Sequence, residues 1–74
     1  MENDKIKSER FIKIAEKRTN NILATLRLLG NCSNTNNYKY TEEQVKRIFS
    51  TIEKELKSTK AKFDKREKKF SLRG

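Results

Sequence analysis

The sequence lacks histidine and proline altogether, and it has one cysteine and two glycines. Without histidine, a Cys/His catalytic pair cannot form, and zinc sites of the usual cysteine and histidine kinds are excluded. The two glycines, Gly30 and Gly74, lie too far apart for a glycine loop that cradles phosphate. The carboxylates lie among lysines, as solvated surface pairs do. We therefore expect a non-enzymatic protein with no cofactor and no metal.

Other absences bear on location. No apolar run approaches the length of a membrane span, and the N-terminal stretch MENDKIKSER lacks the apolar centre of a signal peptide. A single cysteine cannot form an internal disulfide, so an oxidising compartment is not implied. These features together predict a cytoplasmic protein.

The first half of the chain has the period of an amphipathic helix, which predicts a helix over about residues 4–29. Its apolar stripe keeps one phase at 100° per residue, through Phe11, Ala15, Ile22, Leu26 and Leu29. The segment KRTNN is a weak helix former, and a break near Thr19 would give three helices; the continuous stripe favours one. Gly30, in the left-handed conformation, and Asn31 are expected to end this helix.

A second helix is predicted over about residues 41–68, after a loop at 30–40. Thr41 and Gln44 have the spacing of a capping box, and Tyr40 and Val45 that of a hydrophobic staple. The helix then carries a heptad-like seam that degrades at Arg66 and consists of Val45, Phe49, Ile52, Leu56, Thr59 and Phe63.

These elements predict an all-α fold, a single domain over residues 1–74 built as an antiparallel two-helix hairpin. Apolar residues make up only 32% of the chain and charged residues 39%, enough for one stripe per helix but not for a layered core. A lone hairpin would leave both stripes in water. A homodimer, or docking on a larger protein or ribonucleoprotein, is therefore expected to complete a bundle.

The charge of +9 is concentrated near the C-terminus, where residues 57–74 hold eight basic and two acidic residues, a net +6. Such asymmetry is expected where one end approaches a polyanion, such as nucleic acid or an acidic protein face. RNA or DNA, contacted through its phosphates, is the predicted partner. Lysine as a default surface residue explains the composition equally well. The predicted binding residues in this segment, with a basic tail at 69–74, are Lys57, Lys60, Lys62, Lys65, Arg66, Lys68, Lys69 and Arg73.

One further partner and one further function bear on this prediction. A membrane surface is disfavoured, because the polar face carries acids and the apolar face is thin. A small adaptor or inhibitor, docking its apolar stripes and basic face on a larger protein, is the principal alternative to nucleic-acid binding.

The loop GNCSNTNNYKY is rich in asparagine and tyrosine, which can pair with and stack on unpaired bases. Asparagine and serine also dominate ordinary turns, and that structural role is favoured for most of the loop. Asn36, Asn37 and Tyr38 are the candidates for base contacts.

The stretches RFIKIAEKRTNNILATLRLLGNCSN and YKYTEEQVKRIFSTIEKEL resemble small helical proteins of low-GC bacteria and their mobile elements. The resemblance runs from about Arg10 to Phe63. It implies no activity and no functional residue, and it favours mobile-element biology.

Overall fold

The computed structural model describes residues 2–64, which form two α-helices and no strand. Helix α1 spans Glu2–Asn31 and helix α2 spans Glu42–Ala61. This confirms the all-α fold class. The chain divides into two units: residues 1–39 contain α1 and the turn after it, and residues 40–74 contain α2.

Helix α1 runs for 30 residues without a break, so one helix and not two occupies the first half of the chain. The weak segment at residues 17–21 is helical. Just beyond it, the Thr25 hydroxyl donates to the Asn21 carbonyl oxygen at 2.9 Å, one turn back. That bond gives the hydroxyl a partner within the helix, so it does not compete with the helical backbone.

The end of α1 corrects the prediction for Gly30. The helix continues through Gly30 to Asn31, and Gly30 does not take the left-handed conformation. Instead the chain tightens through three successive hydrogen bonds between residues three apart: Cys32 N–H to Leu29 O, Ser33 N–H to Gly30 O and Asn34 N–H to Asn31 O, at 3.0–3.3 Å. These bonds occupy the last helical carbonyls, which removes the need for a glycine cap.

A compact turn around Asn34 follows the helix. The Asn34 carbonyl oxygen accepts from the backbone N–H groups of Asn37 and Tyr38, at 3.1 and 3.0 Å. Its side-chain oxygen accepts from the Asn36 N–H at 3.0 Å, an Asx turn. Asn34 therefore performs the structural role that is favoured for this loop.

Helix α2 begins with the predicted capping box. Thr41 is the N-cap, with extended backbone angles of φ −106° and ψ 161°. Its hydroxyl accepts from the Gln44 N–H at 3.0 Å, and the Gln44 side-chain oxygen accepts from the Thr41 N–H at 2.9 Å. Glu42 and Glu43 occupy the first turn, where the helix dipole favours negative charge.

We expect Thr41→Ala to destabilise α2 by about 1 kcal/mol, because it leaves the Gln44 N–H without its cap. The helical far-UV circular dichroism should fall, and thermal unfolding should begin at a lower temperature. Thr51→Ala is the matched control. The Thr51 hydroxyl lies inside the helix and donates only to the Arg47 carbonyl oxygen, so its loss should change stability much less. Equal losses in both variants would contradict the capping role.

The C-terminal end of α2 is earlier than predicted. The helix ends at Ala61 and not near residue 68. The N–H groups of Lys62, Phe63 and Asp64 bond carbonyls three residues back, at 3.1–3.2 Å, so the helix closes in a tight turn. Residues 65–68, the remainder of the predicted helix, lie outside the described residues.

Both apolar stripes are accessible to solvent. Among the described residues no side chain is buried, and Ala15, Leu29, Val45 and Ile52 are the half-buried members of the stripes. Larger stripe residues are well exposed, with Leu56 at 64% and Phe63 at 70%. Each helix therefore offers apolar surface whose burial would be favourable.

Candidate nucleic-acid interface

Three of the predicted phosphate-contacting lysines lie at the end of α2. Lys57 and Lys60, three residues apart and both exposed, are neighbours on the helix surface. Lys62 is the C-cap residue, with helical backbone angles of φ −66° and ψ −20°. Positive charge at this end also complements the helix dipole, which is negative here. The end of α2 thus presents three cations, Lys57, Lys60 and Lys62, to solvent.

The other predicted cations follow these three in the sequence. They lie outside the described residues and are Lys65, Arg66, Lys68, Lys69 and Arg73.

The predicted base-contacting residues are adjacent in the turn after α1. Asn36, Asn37 and Tyr38 are all exposed, and 52% of the Tyr38 surface is accessible. Asn34 fixes the backbone of all three through the hydrogen bonds described above. The turn therefore holds two amides and a phenol ring on an ordered backbone, a set able to pair with and stack on an unpaired base. These residues belong to the first unit, and the lysines belong to the second.

Cys32 is an exposed free thiol at the start of the same turn. Its sulfur lies 3.9 Å from the Leu28 carbonyl oxygen, a weak contact. Within residues 2–64, no group of three or more cysteine, aspartate or glutamate side chains has the arrangement of a metal site.

A groove on α2 was not predicted. It is lined by Tyr40, Gln44, Arg47, Ile48, Thr51 and Ile52. Tyr40 lies just before the helix, and Gln44, Ile48 and Ile52 follow it at intervals of four residues, so they form one row along the helix. This interval of four residues is the feature of the sequence from which the groove could have been predicted. Tyr40 and Ile48 both line this groove, and the staple of Tyr40 with Val45 stays a prediction.

Neither described helix combines the length and the apolarity needed to cross a bilayer. No protein-family model matches the chain, and comparison with curated proteins and with solved structures gives no significant match.

Proposed function

We propose that this chain is a small, non-enzymatic nucleic-acid-binding accessory protein whose lysine-rich segment 57–74 contacts the phosphate backbone. The observation that carries the proposal is the net charge of +6 within these 18 residues. The exposure of Lys57, Lys60 and Lys62 at the end of α2 supports it. A nucleic acid is the partner whose regular negative charge best matches such a segment.

Binding of this kind proceeds by charge neutralisation. Each lysine or arginine that meets a phosphate releases condensed counterions, so affinity depends steeply on salt and weakly on base sequence. Asn36, Asn37 and Tyr38 would add contacts to unpaired bases. The interaction would therefore be general along a strand, with any base preference coming from the turn.

The apolar stripes have a separate role in this proposal. An antiparallel hairpin of α1 and α2, paired with a second copy into a four-helix bundle, would remove both stripes from water. Support comes from the exposure of the stripe residues, because most helical stability in proteins comes from packing an amphipathic face. Packing of this kind would leave the polar faces free for the nucleic acid.

The same exposed stripes favour a second candidate function, a small adaptor or inhibitor that docks on a larger protein. Its anchors would be large apolar side chains with high exposure, among them Phe11 at 56%, Phe49 at 45% and Phe63 at 70%. Affinity purification from the host would distinguish the two functions. One protein recovered at fixed stoichiometry, and resistant to nuclease, would favour the adaptor.

We expect the purified chain to bind short RNA and DNA at low salt and to lose affinity linearly with salt on logarithmic axes. If all eight basic residues of segment 57–74 meet phosphates, the slope on duplex DNA should reach about −7, from about −0.9 per contact. Fluorescence anisotropy with labelled oligonucleotides measures both quantities. Negligible affinity for RNA and DNA at low salt would show that the proposed function is wrong.

A further inference from the structure

The face of α2 opposite its apolar stripe repeats with the same helical spacing as the stripe. Its residues alternate three and four apart, so at 100° per residue they share one sector; they are Arg47, Ser50, Lys54, Lys57 and Ala61, with Ser58 beside them. All six are exposed. Helix α2 therefore has two organised faces, one apolar and one basic.

Positive charge predominates on this second face, although Glu43 lies on it one turn before Arg47. Between Arg47 and Ala61 its only ionisable groups are three cations, which we call the basic row: Arg47, Lys54 and Lys57. By helical geometry the acids of the same stretch, Glu53 and Glu55, lie about 100° to either side of Lys54, and Glu53 lies about 40° from Lys57. The row is therefore basic along its length, with Glu43 at its N-terminal end and Glu53 beside Lys57.

Small residues separate the cations. Ser50, Ser58 and Ala61 would let a ligand approach close to the helix, because none of them projects far from the backbone. The Thr51 hydroxyl lies at the edge of this face and donates to the Arg47 carbonyl oxygen at 2.8 Å. The serines are therefore the hydroxyl donors of the face, and hydroxyls and cations together are the groups that bind phosphate oxygens in nucleic-acid complexes.

The groove that contains Tyr40 lies along one edge of the row. Arg47 and Thr51 form its polar side, while Ile48 and Ile52 form its apolar side. The groove thus marks the border between the two faces of α2. Tyr40 and Arg47, the N-terminal cation of the row, both line it.

We infer that the basic row of α2 is a phosphodiester-binding surface, and that Arg47 and Lys54 bind the nucleic-acid backbone in addition to the C-terminal lysines. This inference rests on the proposed function and assigns it a second site. From Arg47 to Lys57 the row is about 15 Å long, at 1.5 Å per residue. Phosphates recur about every 3.4 Å along each strand of a DNA duplex, so the row spans several of them.

The geometry of a helix distinguishes the possible duplexes. The major groove of B-form DNA is about 12 Å wide and admits an α-helix, whereas the A-form RNA major groove is deep and narrow. A helix that has small residues between its cations can enter the wider groove and reach phosphates on its walls. Duplex DNA is accordingly expected to bind the row more tightly than duplex RNA of the same sequence.

The test compares Arg47→Gln/Lys54→Gln with the wild-type chain, on short DNA and RNA duplexes of one sequence, by fluorescence anisotropy across a salt range. Glutamine keeps the helix propensity of the residues it replaces, so circular dichroism should be unchanged. On DNA the salt slope should become shallower by about 1.8, and affinity at about 0.1 M salt should fall on the order of 50-fold.

Two control variants separate position from charge. Lys5→Gln/Lys46→Gln removes the same charge from residues outside the row and should change the slope much less. In the Lys54→Gln background, Arg47→Lys keeps its cation and should recover about half of the lost slope.

Three results would overturn the inference, and a fourth would overturn its preference for DNA. If the variant matched Lys5→Gln/Lys46→Gln while the wild-type chain bound DNA, the row would not be the surface, although the proposed function would stand. If the wild-type chain bound neither duplex at low salt, the proposed function and the inference would both fail. Displacement by polyglutamate as effective per charge as DNA would assign the row to acidic proteins. Tighter binding of the RNA duplex would contradict the argument from the width of the DNA major groove.

Discussion

Replacing Ile52 with aspartate should remove most of the helical circular dichroism signal of the protein. Ile52 lies near the middle of α2 and is half-buried, at the centre of its apolar stripe. Most helical stability in proteins comes from packing an apolar face, and the proposed bundle would cover that stripe. Aspartate would place a charge in the covered surface and reduce the free energy of unfolding by about 3 kcal/mol. A domain of this size has little more than that to lose.

Ser50→Asp is the matched control, since it places the same charge in the same helix on the opposite face. It should leave the helical signal and the unfolding temperature nearly unchanged, because exposed substitutions typically alter stability by less than about 0.5 kcal/mol. If Ile52→Asp were equally mild, the stripe of α2 would not be packed in solution. The hairpin and the bundle would then both be wrong.

The start of α2 could be predicted from the sequence because its cause is local. Thr41 and Gln44 are three residues apart, and both hydrogen bonds of the capping box close within that distance. The continuity of α1 through the weak segment was predictable for a different reason. The apolar residues on both sides share one helical phase, and that phase exists only if the segment between them is helical.

The ends of both helices were harder to predict. Glycine permits a left-handed backbone but does not require it, and hydrogen bonds between residues three apart ended α1 beyond Gly30. Similar bonds ended α2 at Ala61, although the apolar repeat continues to Phe63. A periodic pattern tells which face of a helix is apolar, but it does not determine where the last turn tightens.

The candidate site was also predictable from the sequence only in part. A run of lysines near the C-terminus is visible in a count along the chain. The basic row of α2 is not, because the acids Glu53 and Glu55 flank Lys54 in the sequence and cancel its charge in any such count. Only the helical geometry separates Lys54 from these acids, by placing them about 100° to either side of it.

Replacing Lys60, Lys62 and Lys65 together with glutamine should produce the largest loss of nucleic-acid affinity. Three phosphate contacts account for a change in salt slope of about 2.7 on duplex DNA, and for roughly a hundred-fold or greater loss of affinity near 0.1 M salt. Anisotropy titrations at several salt concentrations measure the slope directly. Helicity should be retained, because glutamine is about as good a helix former as lysine.

The control Lys5→Gln/Lys7→Gln/Lys46→Gln removes three charges elsewhere, so an equal loss there would mean that net charge and not position governs binding. Combining the Lys60, Lys62 and Lys65 substitutions with Arg47→Gln/Lys54→Gln extends the comparison. Contacts made at the same time by both surfaces should add, giving a total change in slope of about 4.5. If the two surfaces bound the strand only in alternative complexes, either set alone would change the slope little. The combined variant therefore determines whether α2 and the C-terminal lysines contact one nucleic acid together.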